Sequence, residues 1–206
     1  MRMFNKIISA ARAKGESPLR IVNGKRIVFI HINKTGGTSI GNALGFNKSH
    51  LTVREIIDFI GKKRFESSYK ISAVRNPWDK VLSHYKYRIK TNQTNMGENT
   101  PSFSEWVKRT YGKNKDPFFY DKPKMFQPQV DWLKDYDNKI DIDVIMKFED
   151  LNKEFEKVSE HLNLNVSLPH LNATQKVNYR EFYDDDSISI VNEWFAEDIK
   201  MFSYEY

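Results

Sequence analysis

The chain has 206 residues, enough for one domain with a real apolar core. It carries no cysteine and no apolar run long enough to span a bilayer, which excludes a disulfide framework and suits a reducing compartment. The formal net charge of +6 favours an anionic partner such as a nucleotide, an acidic glycan or a nucleic acid, although a solvated basic surface accounts for it equally well.

Residues 1–20 read as a surface helix, because their basic, weakly amphipathic pattern lacks the apolar centre of a signal peptide. Arg26-Ile27-Val28-Phe29-Ile30 begins a buried strand rich in β-branched residues. That strand breaks at Asn33-Lys34-Thr35-Gly36-Gly37, and Thr38-Ser39 open a short helix. Strand, Gly-rich turn and helix N-terminus make an anion site, to which Lys34 adds a positive charge. The first expectation is therefore a loop that holds a phosphate of a nucleotide.

Thr52 and Glu55 are spaced as a capping box, with Leu51 and Ile56 placed for a hydrophobic staple. The helix they start should stop at Gly61, and His50 is delivered at the end of the loop this cap pins. A second strand is predicted over residues 69–74, ended by Arg75-Asn76-Pro77 with Asn76 as N-cap and Pro77 at the first helical position. The following helix turns Trp78, Val81, Leu82 and Tyr85 to one apolar face.

Residues 91–128 are polar and read as an insertion suited to acceptor binding, with open loop at Thr91-Asn92-Gln93-Thr94-Asn95. Within it, Ser102 and Glu105 are spaced as a second capping box, and Phe118-Phe119-Tyr120 fall in irregular chain. A strand is predicted over residues 140–146, and a helix after Phe148-Glu149-Asp150-Leu151 with Phe155, Val158 and Leu162 in register. One last helix follows Asp184-Asp185-Asp186-Ser187, burying Ile188, Val191, Phe195, Ile199 and Phe202. Its aspartates suit helix capping and the dipole better than a metal site. The alternation of strands and helices indicates a single α/β domain over residues 1–206 with a mainly parallel central sheet.

A Walker P-loop places its lysine after the glycines, next to Ser or Thr, whereas Lys34 precedes Gly36 and Gly37. No aspartate is evident for holding magnesium, so no metal is expected. His31-Ile32-Asn33-Lys34-Thr35-Gly36-Gly37-Thr38-Ser39 resembles the 5′-phosphosulfate loop of carbohydrate sulfotransferases. Arg75-Asn76-Pro77, followed by Ser83-His84-Tyr85, is similar to their 3′-phosphate element. Phe148 to Leu151, the stretch from Leu168 to Thr174 and the ending from Asp198 to Tyr204 add supporting likeness, in order along most of the chain. Asn33 stands where the family commonly has Pro, and Ser203 where it has Gly. The expected fold is thus a P-loop-NTPase-like three-layer arrangement.

The resemblance implies transfer of a sulfuryl group from 3′-phosphoadenosine 5′-phosphosulfate (PAPS) to a hydroxyl, with a saccharide or glycan as the acceptor. Backbone N–H groups of Thr35, Gly36, Gly37 and Thr38, with the Thr38 and Ser39 hydroxyls, would cradle the 5′-phosphosulfate. Lys34 would neutralise the leaving oxygen, and Arg75 and Ser83 would meet the 3′-phosphate, Ser83 lying two turns beyond Asn76 on the same helix face. The ordinary alternative for Arg75 is a strand-end salt bridge. Asn172, Thr174 and Lys176 match a late loop that closes on the nucleotide, or else form a capped turn.

A hydroxyl nucleophile needs a base, and of the five histidines His50 is the candidate, in a segment that resembles the base region of heparan sulfate 2-O-sulfotransferases. His31 reads as packed on the strand, His84 as pointing elsewhere on the helix it shares with Ser83, His161 as surface and His170 as structural. Gln129 and Trp132 occupy a region that lines acceptor clefts in the family, core packing being the ordinary role of such a tryptophan. The chain is expected to be a soluble cytoplasmic enzyme without a nucleic-acid partner or membrane span, its oligomeric state not legible. Two rivals stay open: an ATP-dependent small-molecule kinase, and a non-catalytic basic module binding nucleic acid or acidic glycan.

Overall fold

The computed structural model describes residues 17–164, 166–168 and 178–206. Strands β1 (Leu19–Val22), β2 (Lys25–Ile30), β3 (Tyr69–Val74) and β4 (Val144–Lys147) form one sheet in the order β1-β2-β3-β4. β2, β3 and β4 run parallel, and β1 lies antiparallel on β2, so the fold is α/β around a mostly parallel sheet. Ile27 to Ile30 and Ile71 to Val74 are all buried, the continuous apolar pattern of strands covered on both faces.

The helices in chain order are α1 (Gly37–Leu44), α2 (Val53–Ile60), α3 (Lys62–Glu66), α4 (Pro77–Lys90), α5 (Phe103–Tyr111), α6 (Pro123–Phe126), α7 (Gln129–Leu133), α8 (Leu151–His161), α9 (Asp185–Trp194) and α10 (Ala196–Phe202). The described residues fall into two compact units, one within 1–74 and 131–173, the other within 75–130 and 174–206. The first holds the sheet, whose core joins Ile27, Phe29, Ile71 and Met146 to Leu44 of α1 and Phe155 of α8. The second is helical, with an aromatic core of Trp78, Trp106, Phe126 and Phe195. Among the described residues no helix is long and apolar enough to cross a membrane.

Local signals carry through where a cap sets them. Thr52 and Glu55 close the capping box of α2, which stops at Gly61. β3 matches its predicted span, and Asn76 caps α4 by accepting from the N–H groups of Trp78 and Asp79. Asp184 caps α9 and Ser187 completes that box, while Asp186 pairs with Lys108.

Several expectations need correction. The predicted N-terminal helix does not reach residue 20: Leu19 and Arg20 belong to β1, and residues 1–16 lie outside the described chain. The reason is the Asn23-Gly24 pair, both left-handed at φ 46° and 78°, which makes the two-residue hairpin turn that folds β1 onto β2. β4 begins at Val144 rather than residue 140, because Asp141 and Asp143 turn to the buried Lys70 ammonium before the ladder to β3 starts. Residues 91–95 include a short 3₁₀ turn (Gln93–Asn95). At α5 half of the capping box forms, since Ser102 accepts from the Glu105 N–H while the Glu105 carboxylate pairs with Arg109. The last predicted helix is two, broken at Phe195, where φ −107° and ψ 23° depart from helical values.

Candidate active site

In the first unit, the chain leaves β2 through the buried His31 and Ile32 and enters a tight turn. The Thr35 hydroxyl donates to the Ile32 carbonyl at 3.0 Å, so this side chain builds the turn and the donor left for an anion is the backbone N–H. Lys34 and Gly36 are left-handed, with φ 67° and 81°, which swings the chain into α1 with Gly36 as its N-cap. The two glycines answer different needs. A Cβ at Gly36 would sit 2.5 Å from Leu151 and 3.1 Å from Phe148, and one at Gly37 would overlap the His31 ring. The first turn of α1 carries no acidic residue, and Thr38 and Ser39 are half-buried there. A positive dipole end with no acidic side chain in its own first turn is suited to an anion.

His50 lies in the same unit, between buried Ser49 and Leu51 and just ahead of the α2 cap. Its Nδ1 is 2.9 Å from the His31 carbonyl oxygen, and the two rings are 4.3 Å apart between centroids. Trp132, with no exposed surface, presents its ring edge-on to His50 at 6.3 Å. His31 stacks on Phe29 at 5.4 Å. Burial first, then the charges of His50 and Lys48, push the His31 pKa down to about 3, so this ring is neutral at ordinary pH.

In the second unit, Arg75 precedes α4 and its Nε donates to Asp79 at 2.8 Å, the i,i+4 ion pair of the strand-end alternative. Ser83 is half-buried farther along α4. Gln129 has no exposed surface: its Oε1 accepts the Arg75 N–H and its Nε2 donates to the Arg75 carbonyl, both at 2.9 Å. Asp198 supports it by accepting the N–H groups of Gln129 and Val130 at 2.8 and 2.9 Å. Burial drives the Asp198 pKa up against the lowering effect of these bonds. Gln129 and Trp132, expected to line an acceptor cleft, therefore turn inward, one to the Arg75 backbone and the other to His50.

Asp79 and Asp198 carry no assigned role in the sequence pattern. Asp79 stands four residues after Arg75 on one helix face, a legible spacing, whereas Asp198 is marked only as the start of the family-like ending and nothing local points to Gln129. His84 packs between Trp106 and Phe126, and His161 stacks on Tyr69 at 4.5 Å. His170, Asn172, Thr174 and Lys176 lie outside the described residues.

The family model for the Sulfotransferase family matches residues 17–205. An uncharacterized protein of Archaeoglobus fulgidus is 31% identical over 124 residues, which cover 59% of this chain and 91% of that protein. A solved structure, a sulfotransferase from Alicyclobacillus acidocaldarius, is similar over 74% of this chain at 15% identity and a TM-score of 0.42. This chain covers 59% of that chain.

Proposed function

The chain belongs to the sulfotransferase family, and from that premise we propose that it moves a sulfuryl group from PAPS to a hydroxyl of a carbohydrate. The observation that carries the reading is the turn from β2 into α1: left-handed Lys34 and Gly36 lead into a helix start free of acidic side chains. Its chemistry fits a phosphosulfate, which needs converging N–H donors and a cation. Arg75 and Ser83 are assigned to the 3′-phosphate by their motif. PAPS supplies an activated sulfuryl group whose transfer needs no metal in this reading.

In the proposed displacement, the acceptor oxygen bonds to sulfur as the bond from sulfur to the 5′-phosphate oxygen breaks. His50 takes the proton leaving the acceptor hydroxyl, and Lys34 neutralises the charge that grows on the phosphate oxygen. Positioning and charge stabilisation supply most of the acceleration, by analogy with phosphoryl transfer. Gln129 and Trp132 act by holding Arg75 and His50 in place. The acceptor contacts belong to residues 91–128, where Phe118 is exposed. The enzyme is taken as cytoplasmic, in keeping with its lack of cysteine.

Calorimetry with 3′-phosphoadenosine 5′-phosphate tests the donor. It is expected to bind more tightly than adenosine monophosphate, and Lys34→Ala and Arg75→Ala should each weaken it. Equal affinity for the two nucleotides would overturn both phosphate assignments, and magnesium-dependent ATP turnover would favour a kinase. Sulfation of a panel of saccharides with PAPS tests the acceptor class.

A further inference from the structure

We propose that His31 is the positioning residue of His50: its carbonyl holds His50 in the Nδ1–H tautomer, and its ring ties that arrangement to the anion loop. The inference rests on the reading of His50 as general base, and adds which nitrogen takes the proton and what aims it.

A carbonyl oxygen can only accept, so the 2.9 Å contact with His31 requires hydrogen on the His50 Nδ1. A neutral imidazole has one N–H, which leaves the lone pair on Nε2. Nε2 is thus the atom that receives the acceptor proton. The carbonyl is well anchored, since Ile30, His31 and Ile32 are all buried at the end of β2.

The His31 ring does a second job. It lies between Phe29 and His50 and occupies the space a side chain at Gly37 would need. Being neutral, it adds no charge of its own beside His50. Lys48 is a further charged group that acts on His31, and Trp132 stands edge-on to His50. A shift of the loop at Gly37 therefore reaches His50 through one wedged ring, so loop geometry and proton acceptance are mechanically linked.

The test is ¹⁵N spectroscopy of the imidazoles in the full chain above neutral pH, read alongside turnover. His50 is expected to carry its proton on Nδ1; a dominant Nε2–H form, or averaging between tautomers, overturns the proposal. Gly37→Ala should displace the His31 ring, lose the Nδ1–H signature and lower kcat by up to about 10²-fold. His31→Phe keeps both the carbonyl and an aromatic wedge and should retain that signature. Where Gly37→Ala does not fold, His31→Ala empties the wedge without touching the backbone, and an unchanged tautomer there overturns the role of the ring. The base assignment is separable: full turnover in His50→Ala with Nδ1–H in the parent defeats the base and leaves the lock standing. Lost turnover with Nε2–H in the parent does the reverse.

Discussion

The carboxylate of Asp198 holds Gln129 twice, accepting its backbone N–H at 2.8 Å and its side-chain Nε2–H at 3.1 Å. Gln129 passes this constraint to the backbone of Arg75, so a buried acid far along the chain sets where the guanidinium starts. Asp198→Asn replaces one acceptor oxygen with an NH₂ that faces an N–H donor. The expected cost is about 1–3 kcal/mol, measured by urea unfolding. Affinity for 3′-phosphoadenosine 5′-phosphate should fall with it, by less than in Arg75→Ala. Unchanged stability would mean that the network is not fully desolvated.

Lys34 is strained where it stands, because a residue with a Cβ at φ 67° meets its own carbonyl. Lys34→Gly should therefore raise the folding stability by about 1 kcal/mol while turnover is lost. Lys34→Ala should lose turnover without that gain. Thermal melts of the two variants side by side decide it, and equal melting temperatures would argue against stored strain.

His31 makes the fold acid-sensitive in a definite sense. Its folded pKa, about 3, lies below the ordinary value of 6.5, so folding favours the neutral ring. That contribution is complete above the unfolded value and is lost as the pH falls through this window. Asp198 acts with the opposite sign, its raised pKa withdrawing stability as the pH rises. The comparison that isolates His31 is wild type against His31→Phe, unfolded in urea from about pH 7 to about pH 4. The variant should lose less stability on acidification, and a parallel decline would rule out titration of His31 as the cause.

Ser203 ends α10 in the left-handed region, with φ 51° and ψ 53°, a position where glycine has no Cβ penalty. Ser203→Gly should stabilise the chain by about 1 kcal/mol, seen as a rise of about 2–4 °C in Tm. Turnover should not change. A fall in Tm would show that the serine makes a compensating contact.

The parts of the fold legible in advance share a short range. The β2 turn, the α2 box, the Asn76 cap and the Asp184 cap are each made within a few residues, so residue type and spacing suffice. The β1–β2 hairpin is equally local, since the Asn23-Gly24 pair by itself makes its two-residue turn. The start of β4 and the break at Phe195 were not legible, because Lys70 and the packing of the aromatic core set them from other segments.

The same division runs through the candidate site. By itself, the sequence determined a Gly-rich turn with a lysine ahead of two glycines, an Arg-Asn-Pro helix start and a histidine pinned by a cap. Only the tertiary structure decided what those residues rest on. Gln129 is held by an acid 69 residues away, and His50 is oriented by a carbonyl 19 residues away. Backbone turns and caps close locally and leave their mark in local composition. A buried hydrogen bond between distant segments depends on where the chain brings its donors and acceptors together, and no spacing along the sequence encodes that.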